Sequence, residues 1–204
     1  MIQRTRPTCL AAILIAAIGV AVIAPAAAAS AVPLIEDRFI FVAPQRIEPA
    51  PSTIRAGRYA IGDSVMLGAV GGLSARDFRV NAVVSRQFSS GIEVVAKLLR
   101  TRRLPRDLVF HLGTNGTASA GNCRELVRMI GRQRIVWLVT VKVARPWRRP
   151  NNRVLRNCAG RFERARLIPW NAHAKGHPGW FASDGYHLTS AGRSAYASFI
   201  DSFV

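Results

Sequence analysis

The feature that most limits how this chain can fold is a regular alternation, from about residue 55 onward, of short apolar runs with longer amphipathic stretches. Residues 59–63, 78–84, 108–112, 135–141 and 166–169 have the length and apolar content of strands. The intervening stretches 65–75, 91–103, 122–131, 151–161 and 190–203 carry helical periodicity. Strand and helix taking turns in this way argues for βα units, because parallel neighbours need a crossover and their sheet must be covered on both faces. The expectation is an α/β fold, a three-layer α/β/α sandwich with a central, mainly parallel sheet. In open sheets of this kind ligands bind outside the carboxyl ends of the strands, so the residues just after each strand are inspected first.

The first 29 residues read as an export signal. Arg4 and Arg6 precede an apolar run, and the small residues Ala26 to Ala29 follow it, placing cleavage after Ala29. The stretch is close to bilayer length, so an uncleaved anchor is the competing reading, but no basic stop-transfer flank follows. Residues 30–54 contain Pro33, Pro44, Pro49 and Pro51 and read as an extended lead-in, with Phe39-Ile40-Phe41-Val42 as an apolar stretch that could form an edge strand. The remaining 55–204 form one domain. Export would leave Cys123 and Cys158 in an oxidising compartment, where they are expected to pair as a disulfide; two buried thiols are the alternative.

The chain carries a formal charge of +18, and with Arg4 and Arg6 set aside it still has 27 basic against 11 acidic residues. A field of that sign attracts polyanions. The basic residues are nearly all arginine and scattered, apart from short clusters at 100–106 and 145–153, and no basic stripe interleaved with aromatics is present. Nucleic acid is therefore a poor candidate partner. An exported chain points instead to anionic cell-envelope polymer, and a merely solubilising surface is an equal alternative.

Three polar groups stand where chemistry is expected. Gly62-Asp63-Ser64 follows the first strand and opens a helix, so Ser64 can raise its hydroxyl above the sheet with its own N–H available to an oxyanion. An ordinary helix N-cap would use the same residues. Gly113-Thr114-Asn115-Gly116 ends the third strand at the same edge, and the Asn115 carboxamide could donate to a developing oxyanion; Asn-Gly is also a plain turn. Asp184-Gly185-Tyr186-His187 supplies a carboxylate and an imidazole on one loop, with the aspartate able to orient the ring that takes the serine proton. The order Ser, Asp, His with the last two three positions apart differs from hydrolases built on a Gly-x-Ser-x-Gly elbow, which is missing here. His111 falls within a strand and reads as a packed core residue. His173 and His177 are not regarded as metal ligands, because Gly176 and Pro178 break the helix that would align them.

Taken together, GDSVMLGA at 62–69, SRQF at 85–88, GTNG at 113–116 and DGYHLT at 184–189 resemble the blocks of SGNH (GDSL-like) hydrolases. The nearest pattern is the extracytoplasmic SGNH domain of peptidoglycan O-acetyltransferases, which also has an RPW-type segment like Arg145-Pro146-Trp147. The resemblance implies Ser64 as nucleophile, His187 as general base and acid, and Asp184 as its orienting partner. It implies an oxyanion hole from the Ser64 and Ser85 N–H groups and Asn115, although many family members have glycine where this chain has Ser85. Arg86 and Trp147 are candidates for the substrate groove, with a packed loop anchor as the equal alternative for Trp147, an aromatic next to proline.

What this implies is an exported serine esterase acting on O-acyl, chiefly O-acetyl, esters of cell-envelope carbohydrate through an acyl-serine, with transfer to a sugar hydroxyl as the other outcome. No metal or organic cofactor is needed. The 204 residues include no multi-helix membrane domain of the kind that delivers acyl groups in the resembling enzymes, so hydrolysis ranks ahead of transfer unless a separate membrane acyl donor protein takes part. The alternatives are a general short-chain or lipid esterase and, in another class, a non-catalytic basic protein that binds envelope polymer.

Overall fold

Leu108, Val109 and Phe110 are consecutive and all fully buried, a pattern that only a strand covered on both faces can satisfy. The structure, a computed structural model, describes residues 57–204; the export segment, the proline-rich lead-in and the 39–42 stretch lie outside the described residues. In it these three residues occupy the middle of a parallel sheet of strands β1 (Arg58–Gly62), β2 (Phe78–Ala82), β3 (Asp107–His111), β4 (Ile135–Val139) and β5 (Ala165–Ile168). The spatial order is β2-β1-β3-β4-β5 and every pairing is parallel. The expected three-layer α/β/α sandwich is the observed fold.

Alternate side chains of each strand serve two cores, as the two-residue period of a strand requires. Ile61, Leu108, Phe110, Val136 and Leu138 meet α3 (Phe88–Arg100), α4 (Ala120–Ile130) and α5 (Arg148–Arg161) through residues such as Val95, Leu126 and Leu155. Ala60, Val109, Val139 and Ile168 face the short helices α1 (Ser64–Gly68) and α2 (Val70–Ser74), the turn α6 (Trp170–His173) and α7 (Ser190–Asp201), where Leu73, Trp170, Tyr196 and Ile200 pack. On the first face Cys123 of α4 and Cys158 of α5 are joined by a disulfide, with Cα atoms 6.3 Å apart.

The structure corrects two element readings. The single helix expected at 65–75 is two, interrupted at Ala69, whose φ of −100° and ψ of 10° leave the helical well. Gly68, Gly71 and Gly72 give the segment too little helix propensity to run straight through. The second strand stops at Ala82 rather than 84, because Ser85 turns the chain with a left-handed φ of 59°. The turn α6 and a 3-10 turn at Pro178–Trp180 were not anticipated; each is shorter than the periodicity that would reveal it.

His111 closes β3, fully buried, with Nδ1 2.7 Å from the Tyr196 hydroxyl. Burial lowers its pKa to about 3. The unfolded chain takes up a proton below about pH 6.5 that the folded ring refuses, so stability is full above that value and declines as the pH falls toward the folded pKa. Denaturant melts of the native chain and of His111→Gln over this window should show a shallower acid decline for the variant. Removing the disulfide, which closes a loop between residues 35 apart, should cost roughly 2–4 kcal/mol in the same melts while leaving the folded chain's cleft intact.

Candidate active site

β1 is flanked by β2 and β3 with their last residues in line, since Gly62 pairs with Ala82 on one side and His111 on the other. The chain order reverses here, β1 connecting to one neighbour and β3 lying on the opposite side, so the segments after β1, β2 and β3 open around one crevice. Ser64 sits at the head of α1, where the buried Asp63 caps the helix by accepting from the Val65 N–H at 3.0 Å. Burial raises the Asp63 carboxyl above the usual range, against the Val65 N–H and the nearby Thr114 hydroxyl and His187, which pull it down.

The loop before α7 brings the other two expected residues to Ser64. The Ser64 Oγ lies 2.9 Å from His187 Nε2, and His187 Nδ1 lies 2.6 Å from Asp184 Oδ2. Because a carboxylate only accepts, Nδ1 carries the ring proton, leaving Nε2 to accept from the serine hydroxyl. Asp184 Oδ1 accepts from the N–H groups of Tyr186 (3.0 Å) and His187 (2.9 Å). Its partial burial works to raise the pKa, but these two N–H groups and the imidazole outweigh that, and the carboxyl is held below its ordinary value. The loop is closed by the Phe181–Leu188 bridge and by Thr189, which caps α7 through the Gly192 N–H. A side chain at Gly192 would run into the Trp180 backbone, so the helix can approach this close only there.

Asn115 lies in the segment after β3, and its Nδ2 is buried with no hydrogen-bond partner among the described residues. Buried donors are almost always paired, so this one is free for something that binds. The neighbouring Gly113–Ala118 segment is held by Asn151 of α5, whose amide donates to the carbonyls of Gly113 (2.8 Å) and Gly116 (2.7 Å) and accepts from the Ala118 N–H (2.8 Å). Gln87 reaches across from the segment after β2 and donates to the Asn115 carbonyl at 2.7 Å. A Cβ at Gly116 would collide with Gln87, so the glycine makes that bridge possible. Neither Gln87 nor Asn151 was anticipated from sequence; the only available sign was a polar pair, Asn151-Asn152, on a helix where apolar residues would be expected to turn inward.

The two groove candidates turn toward the protein. Arg86 donates to the carbonyls of Gly62 (3.2 Å) and Asn81 (2.5 Å) and to the Asn81 side chain (2.7 Å), tying β1 to β2. Burial lowers its pKa. Trp147 donates its indole N–H to the Thr114 carbonyl at 3.1 Å and anchors the RPW segment to the Asn115 loop. His173 and His177 stack on Phe199 and Trp180, with ring centroids 3.7 and 3.9 Å apart. A cleft of about 780 Å³ opens over Ser64 and His187, lipped by Leu67, Val70, Val84 and Leu188, with Arg193 at its edge.

The chain is 30% identical over 156 residues to the peptidoglycan O-acetyltransferase OatA of Listeria monocytogenes, an alignment covering 76% of this chain and 25% of that protein. It superposes with a TM-score of 0.67 on the C-terminal catalytic domain of Streptococcus pneumoniae peptidoglycan O-acetyltransferase A, bearing a methylsulfonyl adduct, at 25% identity and covering 73% of this chain and 92% of that one. The chain is similar to peptidoglycan O-acetyltransferases and has the SGNH (GDSL-like) hydrolase fold. The SGNH fold extends to a GDSL-like lipase of Bacteroides thetaiotaomicron, 16% identical with a TM-score of 0.58, covering 71% of this chain and 85% of that one. No protein-family model matches the chain. It spans about a quarter of the length of the curated relatives it matches.

Ser85 has a left-handed φ of 59°, a conformation that glycine adopts without steric cost. The conformation costs an L-residue about 1 kcal/mol, more for a β-branched one. Ser85→Gly should leave stability within a few tenths of a kcal/mol or raise it, whereas Ser85→Val should unfold about 1–2 kcal/mol more easily, read from guanidinium midpoints.

Proposed function

We propose that this chain moves O-acetyl groups on cell-envelope carbohydrate through an acyl-serine at Ser64, with peptidoglycan, the polymer in its relatives' names, as the glycan. The observation that carries this reading is the unbroken hydrogen-bonded series from Ser64 Oγ through the His187 ring to the Asp184 carboxylate, in a cleft open to a large substrate. As the Ser64 oxygen bonds to the ester carbonyl carbon, its proton passes to His187 Nε2, and Asp184 stabilises the imidazolium. The carbonyl oxygen becomes an oxyanion facing Asn115 Nδ2 and the N–H groups of Ser64 and Ser85. Collapse breaks the bond to the leaving alkoxide, which takes the proton from His187. A sugar hydroxyl then gives its proton to His187 and attacks the acyl-serine, and the serine recovers its proton as the new ester leaves.

Hydrolysis is the second reading, favoured by the exposure of the Asp184–His187 pair: its side chains are 37% and 41% accessible, so water reaches the acyl-enzyme unless the acceptor displaces it. Export to the envelope belongs to the same proposal and is supported by the basic and apolar start of the chain.

Release of acetate from a 4-nitrophenyl ester should vanish in Ser64→Ala and His187→Ala. It should fall by about 100-fold in kcat for Asn115→Ala, with little change in KM, as for a group that acts on the oxyanion alone. With muropeptide present, the ratio of acetylated glycan to free acetate separates transfer from hydrolysis. Undiminished turnover in Ser64→Ala would overturn the acyl-serine.

A further inference from the structure

A second concavity, of about 520 Å³, lies along the same carboxyl edge of the sheet, beyond β4 and β5. Its walls carry Lys142, Arg148, Arg149, Arg156, Lys175 and His177, and among the described residues no carboxylate lines it. The ion pairs among the described residues all lie elsewhere, Arg58 and Arg76 with Asp201 and His187 with Asp184. Among the described residues none of these arginines and lysines has a side-chain hydrogen-bond acceptor. Lys142 lies over the Phe181 ring, 4.5 Å from its centroid.

Such a set is unfavourable in the free protein. Like charges gathered in a concavity repel one another, with field lines focused by its walls. Arg148 and Arg149 also occupy the first turn of α5, the positive end of that helix, where acidic residues are favoured and none is present. A sequence that contradicts its local structure in this way without a compensating contact within the protein marks a place where the contact comes from outside.

We infer that this groove binds the carboxylates or phosphates of an anionic glycan while a neighbouring sugar of the same chain reaches Ser64. Arg149, Asn152 and Arg156 recur at the three- and four-residue spacing that lines one face of a helix, so the positive wall runs about 10 Å along α5 and suits a chain better than a single ion. Arginine forks favour planar, doubly hydrogen-bonded recognition of such anions. The groove is also coupled to the cleft. The Phe181 that supports Lys142 is bridged to Leu188, the residue after His187. From β1 to β5 is three strand spacings, about 14 Å, a span of a few sugar units. This inference rests on the acyl-serine reading only for what happens at Ser64; the binding itself does not.

The test therefore reads binding apart from turnover. Ser64→Ala protein is titrated by calorimetry with polygalacturonate, which carries carboxylates, with phosphorylated dextran, and with neutral dextran. Binding to at least one anionic glycan, steeply weakened by salt and missing for neutral dextran, is expected. Preference between the first two identifies which anion the groove takes. Arg149→Glu with Arg156→Glu should weaken that binding about tenfold or more, while Arg102→Glu with Arg103→Glu, an equal charge change on the α3–β3 connection, should weaken it far less. The groove pair made in the native chain should leave 4-nitrophenyl acetate turnover unchanged. Equal loss from both pairs, or single-stranded DNA bound as tightly as the anionic glycans, would overturn the inference.

Discussion

Everything at this site depends on the alignment of three strand ends. With Gly62 level with Ala82 and His111, the residues that follow each strand emerge at one height around the crevice where the winding direction changes. A slip of one residue in either pairing would turn alternate side chains to the other face. It would pull apart the two cores that Ile61 and Ala60 serve on opposite sides. Burial on both faces therefore fixes the register, and the register places Ser64, Ser85 and Asn115 together although they are far apart in sequence. The hydrophobic effect that builds the domain is the same force that assembles the polar site.

That dependence explains what could be read in the sequence. The strand runs and the polar residues just after them are local features, and a parallel sheet makes local position informative because every strand end points to the same edge. Ser64 and Asn115 were visible for that reason, whereas Asp184 and His187 were visible because a carboxylate and an imidazole share one short loop. Gln87, Asn151 and Asn152 were not, because their roles consist of reaching across to another segment: Asn152 donates to the Val141 carbonyl and accepts from the Val141 N–H, as Asn151 does for the segment after β3. Arg86 was legible as a groove candidate but not as inward-facing, since a hydrogen bond to a carbonyl leaves no trace in sequence, whereas for Trp147 the proline beside it already suggested a packed loop anchor. The break at Ala69 escaped because glycines weaken a helix without saying where it ends.

Behind Ser64 lies a second polar layer. Asp63 Oδ2, His111 Nε2 and Thr114 Oγ1 are buried without hydrogen-bond partners among the described residues, and burial, then the Asp63 charge, hold the Tyr196 phenol well above its usual pKa. Groups of this kind are costly in an apolar core unless each is satisfied. They sit between the strand ends and α7, where an apolar substitution would pack more simply.

The economy of the Asp184 loop gives the arrangement its last constraint. One oxygen of the carboxylate accepts from the His187 ring while the other accepts from the backbone N–H groups of Tyr186 and His187. The separation of three residues is what allows both, since a carboxylate that caps the turn ahead of it meets the side chain leaving that turn. Orientation of the imidazole and closure of the loop are thus one interaction, and neither can loosen alone. An amide in place of Asp184 could still cap the turn through its oxygen, but its nitrogen would face Nδ1 as a donor and force the ring proton to Nε2, where it meets the serine hydroxyl with the wrong polarity. The backbone would survive and the proposed proton transfer from Ser64 would not.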